Sequence, residues 1–311
     1  MEKTLPINQG WLRALLFFFV SAFISGVITS FVETLIFRGF LGSATINAFT
    51  LPFIYLNYCI NQLGVLFCIW FFRYKIDKNN IYSLGLNWKQ NGGDAFVGLG
   101  VSATILIIGT ALLILGNQIE IKQFDLQIGN LAIFFLLYLT VAFIEEIMIR
   151  GYVLNNLLQS VNKGWALVIS SVAFSMLHLG NPEITPLALI NIFIAGLLLG
   201  INYIYTKNLW FGIFLHFSWN FIQGPILGFP VSGTQKDMGI SKQLLHGPDL
   251  ITGGDFGFEA SLFSPILQLI AVIILALIYE KRIKRQRKEA EAAANEANAE
   301  SENQLEPNLV A

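Results

Sequence analysis

The sequence predicts an all-α membrane protein, a bundle of about eight transmembrane helices. Three observations lead there. Of the 311 residues, 55% are hydrophobic, above the usual apolar share of about 45–50%. Charged residues make up only 13%, too few to clothe a soluble domain of this size. The apolar residues also fall in long runs, most of them near the roughly 20 residues that cross a bilayer. This composition excludes a disordered chain, a nucleic-acid binder and a disulfide-stapled secreted domain. The net charge of −1 says nothing about partners.

Spans are expected near 11–32, 50–72, 95–116, 131–152, 164–180, 186–206, 209–223 and 263–280. The first lacks a small-residue cleavage site and leads straight into further spans, so it reads as retained and not as a removed signal peptide. The stretch 33–49, apolar but broken by Glu33 and Arg38, reads as an interfacial helix. The second span carries Cys59 and Cys68, which match no metal or redox motif and read as buried thiols. The sixth contains Gly196-x-x-x-Gly200, which close helix packing explains. The seventh is short and needs extension by its neighbours. Residues 224–262 form a Gly/Pro-rich outer loop. Residues 281–311 begin basic and turn Ala/Glu-rich, a stop-transfer cluster followed by a partly helical or disordered cytoplasmic tail. The domain reading is one polytopic membrane domain, 1–280, and a tail, 281–311. No internal repeat is evident.

Eight spans put both termini on one side. With the termini inside, the inner segments hold Lys3, Arg13, Arg73, Lys75, Lys78, Lys89, Arg150, Lys163, Lys207 and the cluster from Lys281 to Lys288. The outer segments hold only Arg38, Lys122, Lys236 and Lys242. The positive-inside rule then predicts a multi-pass protein of the cell membrane with cytoplasmic termini.

Ionisable residues inside apolar runs are costly, by roughly 2.5–3.5 kcal/mol each on insertion scales, so a function is the first explanation to test. Glu145, Glu146 and Arg150 share the fourth span. Glu146 and Arg150 are i, i+4 and can pair. Glu145 then lacks a local partner, and an unpaired carboxylate in low dielectric can act as a general base or acid. His178 follows in the fifth span. Counted along straight helices, Glu145 and His178 both lie about 24–26 Å from the turn near Ser160–Lys163, at matching depth. His216 and Asn220, i, i+4 in the seventh span, share a face. His216 lies only roughly 12 Å from its turn, so a tilted or broken helix or a dipping loop is needed to bring it in.

A glutamate beside a histidine can polarise water, and His and Asn donors can hold a developing oxyanion. Ser175 and Ser218 lie near the histidines but in no nucleophile-elbow setting. Zinc held by Glu145, His178 and His216 is the alternative, although the His-Glu-x-x-His helix signature is missing. No cofactor is favoured.

Glu145-Glu146-x-x-x-Arg150, Phe174-x-x-x-His178 and His216-x-x-x-Asn220, in that order on successive spans, resemble the motifs of the CAAX protease and bacteriocin-processing (CPBP, or Abi) family of intramembrane glutamic endopeptidases. The resemblance covers residues from about 131 to 223, with the flanking spans to 280 agreeing in number. The segment Gly254–Ser261, with Glu259, is similar to a Gly/Glu-rich stretch of bacterial members. The resemblance implies that Glu145 and His178 activate water, that Glu146 and Arg150 support them, and that His216 and Asn220 form the oxyanion site. Its implied partners are peptide or membrane-protein substrates, lipidated ones included, and the lipid bilayer, with no nucleic acid. Two other functions use the same residues: a non-catalytic immunity or scaffold protein of the same fold, and a proton-coupled transporter.

Overall fold

The computed structural model describes residues 5–31, 34, 50–124, 128–234 and 239–305. Each of the eight stretches expected as a span contains a helix. They are α1 (Gly10–Phe31), α2 (Thr50–Phe71), α3 (Gly93–Leu115), α4 (Ile128–Glu146), α5 (Lys163–Leu177), α6 (Pro186–Ile201), α7 (Trp210–Phe221) and α8 (Phe263–Leu305). The fold is all-α, as composition and run length predict. The interfacial helix expected at 33–49 lies outside the described residues, apart from residue 34.

Among the described residues, five helices are long and apolar enough to cross a membrane: Gly10–Phe31, Gly93–Leu115, Ile128–Leu157, Pro186–Thr206 and Phe263–Asn295. The 15 residues of α5 and the 12 of α7 fall short of a full crossing. Large apolar side chains face outwards, as lipid requires. On α1, Phe19, Phe23, Val27 and Phe31 form an exposed i, i+4 stripe, while Ala14, Phe17, Phe18 and Ser21 are buried on the other face.

Among the described elements, three helices continue as π-helix. Phe72–Ile76 extends α2, Ile147–Leu154 extends α4, and Ile222–Ile226, containing Pro225, extends α7. Such i→i+5 segments recur at functional sites because the wider turn re-aims the side chains it carries. The segment after α4 carries Arg150.

At the centre is α7, which packs against α3, α4 and α6. Nine of its residues, from Phe211 to Asn220 with Phe214 excepted, are buried. Small residues allow the close approach. A Cβ on Gly98 of α3 would stand 2.2 Å from the Phe211 carbonyl oxygen, and Ser102 and Ser218 hydrogen-bond across the same seam. The Gly196/Gly200 pair does the same between α6 and α5. A Cβ on Gly196 would meet Ser171 Cβ at 2.8 Å, and one on Gly200 would meet Leu167 Cδ1 at 2.6 Å.

Two features depart from the sequence reading. Part of the long 224–262 loop forms an antiparallel ribbon, with β2 (Ser241–Leu245) paired to β1 (Ile119–Phe124) and a register shift between Ile121 and Gln123. Arg13 and Arg73, counted above as loop charges, are buried. Arg13 Nη1 donates to Asp77 Oδ1 at 2.8 Å, Arg73 Nη1 to Asp77 Oδ2 at 2.7 Å, and Tyr152 Oη to Asp77 Oδ1 at 3.1 Å. One carboxylate thus ties α1, the π turn after α2 and the π segment after α4.

The chain divides into two compact units, 1–271 and 272–311. The second is the C-terminal part of α8, helical to Leu305, with an exposed Arg285–Glu289 pair at 2.7 Å.

Candidate functional site

Glu146 is the last residue of α4 and is fully buried. A buried charge persists only when paired and hydrogen-bonded. Its Oε1 accepts from Arg150 Nη1 at 2.6 Å, the i, i+4 pair the spacing predicts, and from His216 Nδ1 at 3.2 Å. Its Oε2 has no hydrogen-bond partner and lies over Gly212 of α7, where a Cβ would stand 2.7 Å away. Glycine at 212 is therefore what lets α7 approach the carboxylate.

Arg150, 1% exposed, also donates Nη2 to the Gly196 carbonyl at 3.1 Å, which joins α4 to α6. Its guanidinium carbon lies 4.3 Å from the centroid of the Phe174 ring, a cation–π contact made stronger by burial. Phe174 in turn stands edge-on to both histidines, with centroids 4.8 Å from His178 and 5.9 Å from His216. The first residue of the Phe174-x-x-x-His178 motif is thus the spacer that holds arginine and both imidazoles apart.

His178 caps the C-terminus of α5 instead of lying inside a span. The expected helix to 180 stops at Leu177, where the His178 amide turns to the Ser175 carbonyl and the ring's Nδ1 takes up the Phe174 carbonyl at 2.9 Å, a terminal acceptor. With Nδ1 as donor there, Nε2 is the ring nitrogen left for another partner.

Glu145, Glu259, His178, His216 and Asn220 all line one cavity of about 580 Å³, walled by Tyr58 and Tyr138, by apolar residues of α4, α6 and α7, and by the 231–234 turn. Glu145 Oε2 is buried there with no hydrogen-bond partner. Four of the six expected residues therefore line the cavity, and the other two, Glu146 and Arg150, pair with each other and join it through the Glu146–His216 contact. His216, whose depth the helix counts did not match, is brought in by α7 lying against α4. The counts used 1.5 Å per residue through 147–154, whereas a π segment advances less per residue. His216 also pairs with Glu146, a contact the spacing did not suggest. Ser175 and Ser218 hydrogen-bond to the carbonyls of Leu189 and Phe214, at 2.9 and 2.6 Å.

Sequence reasoning gave Tyr58 and Tyr138 no role and Glu259 only a weak one. Glu259 lies in a turn, where a carboxylate is unremarkable. Burial raises its carboxyl above the ordinary value, while bonds from Ser232 and the nearby His178 and His216 oppose the shift. Glu145, His178 and His216, the set considered for zinc, border the same space, but among the described residues no three His, Cys, Asp or Glu side chains stand grouped to hold a metal ion.

Residues 127–222 match the family described as type II CAAX prenyl endopeptidase, Rce1-like, in agreement with the resemblance carried by the motifs. The matched segment contains Glu145, Glu146, Arg150, Phe174, His178, His216 and Asn220, and ends before Ser232 and Glu259. No curated protein matches the chain.

Proposed function

We propose that this protein is an intramembrane endopeptidase that hydrolyses peptide bonds of membrane-associated or lipidated proteins by Glu/His activation of water. The match of residues 127–222 to a protease family supports the reaction class. One observation carries the mechanism: Glu145, whose Oε2 is buried without a hydrogen-bond partner, and His178 line the same cavity.

In this reading, Glu145 takes a proton from a water held beside His178 Nε2. The water oxygen bonds to the substrate carbonyl carbon, and the carbonyl electrons move onto its oxygen. His216 and Asn220 hold that oxyanion. His216 donates a hydrogen bond from Nδ1–H to Glu146 and keeps that proton, so in this reading it donates from Nε2 as the imidazolium, with the Glu146 carboxylate as its counter-charge. Arg150 fixes Glu146 for that task. The proton on Glu145 then passes to the departing amine, the C–N bond breaks, and the carboxylate is restored. No step uses a metal. The protein is proposed to sit in the cell membrane with both termini cytoplasmic.

The test is cleavage of a membrane-protein and peptide library by purified wild type and by the Glu145→Ala and His178→Ala variants. Both variants are expected to lose cleavage while keeping the wild-type unfolding temperature. Cleavage unchanged in both removes the assignment, and proton flux into liposomes coupled to a solute would establish a transporter in its place. Activity is expected to survive exhaustive chelation. Loss on chelation with recovery on adding zinc would restore the metal alternative.

A further inference from the structure

The cavity contains a second carboxylate that the hydrolytic steps leave unused. Glu259 lies in the turn Phe258–Ala260, and its Oε2 accepts from the Ser232 amide at 2.9 Å and the Ser232 hydroxyl at 2.7 Å. The backbone around this contact is unusual. Ser232 has φ 51°, in the left-handed region that non-glycine residues rarely occupy. Gly257 has φ 104°, and a Cβ there would stand 1.9 Å from the Pro230 carbonyl oxygen, so only glycine fits.

The neighbouring amides show what the space is complementary to. Asn191, 1% exposed, donates Nδ2 to the Glu259 carbonyl and, at 3.0 Å, to the Ser261 carbonyl. That leaves its Oδ1 buried with no hydrogen-bond partner. Gln268, also 1% exposed, donates Nε2 to Ser264 Oγ at 2.7 Å and leaves Oε1 in the same condition. Both residues line the cavity, as does Glu145 with its partnerless Oε2. A buried acceptor without a donor costs about 1–3 kcal/mol. Among the described residues lining the cavity there is no lysine or arginine. The Glu259 end therefore offers a carboxylate and two partnerless amide oxygens with no cation to match them, whereas the donors of His216 and Asn220 serve the oxyanion and the partnerless Tyr58 hydroxyl belongs to another wall. A carboxylate ligand would add like charge and more lone pairs. An ammonium or guanidinium brings only donors, together with the opposite charge.

We propose that the Glu259 end of the cavity is a recognition subsite for a cationic side chain, lysine or arginine, close to the scissile bond of the substrate. Glu259 is its counter-ion, and Asn191 Oδ1 and Gln268 Oε1 accept its remaining protons. The proposal rests on the endopeptidase reading for the word substrate. It directs the enzyme to a basic internal sequence and away from a free C-terminal carboxylate.

The experiment measures binding, so it does not depend on turnover. Fluorescent apolar peptides, in which one lysine is walked along the sequence, are titrated against the His178→Ala variant in lipid nanodiscs. Each is paired with its norleucine counterpart. His178→Ala keeps both carboxylates. At the best position lysine is expected to bind about tenfold tighter than norleucine, equivalent to roughly 1.4 kcal/mol. The ratio is expected to fall towards one when Glu259→Gln is added, a change that keeps the side-chain size and an oxygen for Ser232. Equal affinity for lysine and norleucine at every position overturns the proposal. So does a lysine preference that survives Glu259→Gln, or arises only from Glu145. A lysine preference in a protein whose wild type cleaves nothing would remove the endopeptidase reading and leave the cation subsite standing. Cleavage by the wild type without any lysine preference would do the reverse.

Discussion

Glu146 shows how narrow the tolerances at the site are. Its Oε1 accepts from both Arg150 and His216 while its Oε2 rests against the bare Cα of Gly212. A Gly212→Ala Cβ would stand 2.7 Å from Oε2 and 3.2 Å from the Leu199 carbonyl oxygen, so neither wall yields without moving α6 or the carboxylate. Displacing His216 with its partner is expected to lower kcat by about 10²-fold, since errors near 1 Å at a reacting centre cost that much. Steady-state kinetics beside an unchanged circular dichroism spectrum checks this, and wild-type kcat would show that the contact is dispensable. At this scale much was legible in the sequence. Glu145, Glu146, Arg150, His178, His216 and Asn220 stand out because lipid-facing runs exclude such groups without a reason. Glu259 did not stand out, since a carboxylate in a Gly-rich loop costs nothing until the loop is known to fold into a cavity. Phe174 was named only as the first residue of its motif, and its contacts with Arg150 and both imidazoles were not legible in one ring among 27 phenylalanines.

Among the elements, the π segment after α4 and the shortness of α5 and α7 decide how the motif residues meet. Periodicity located these helices to within a few residues, but it cannot report an i→i+5 turn or a His178 cap that ends α5 early. The arginine cluster was missed for a related reason. Arg13 and Arg73 sit at the ends of apolar runs, where a basic residue ordinarily reaches the headgroups, and only the fold shows both aimed at Asp77. Removing that carboxylate leaves two buried guanidiniums without their counter-ion. Asp77→Ala is therefore expected to destabilise the protein by about 3–5 kcal/mol, the range for breaking a buried pair from one side. Thermal unfolding in detergent reads this directly. An unchanged midpoint would mean that the arginines find water when the carboxylate is gone.

For the whole molecule, composition and run length were sufficient for an all-α membrane bundle, and the structure agrees. The ribbon between 119–124 and 241–245 was not foreseeable, because its strands are short and lie far apart in the chain, so no local alternation marks them as partners. The distribution of lysine and arginine makes one further claim that can be checked on intact cells. A reporter that fluoresces only in the cytoplasm is expected to light when fused to either terminus. Signal from one terminus alone would require an odd number of crossings, and would place α5 or α7 as a helix that enters without spanning.

The account as a whole stands on Glu145 as the base that draws a proton from water. The most direct measurement is kcat for one quenched peptide substrate with purified wild type and Glu145→Gln, in the same lipid and with matched unfolding temperatures. Loss of the carboxylate charge with its shape retained is expected to lower kcat by about 10²–10⁴-fold, the range for general acid–base catalysis. A Glu145→Gln enzyme that turns over within about twofold of wild type would contradict it.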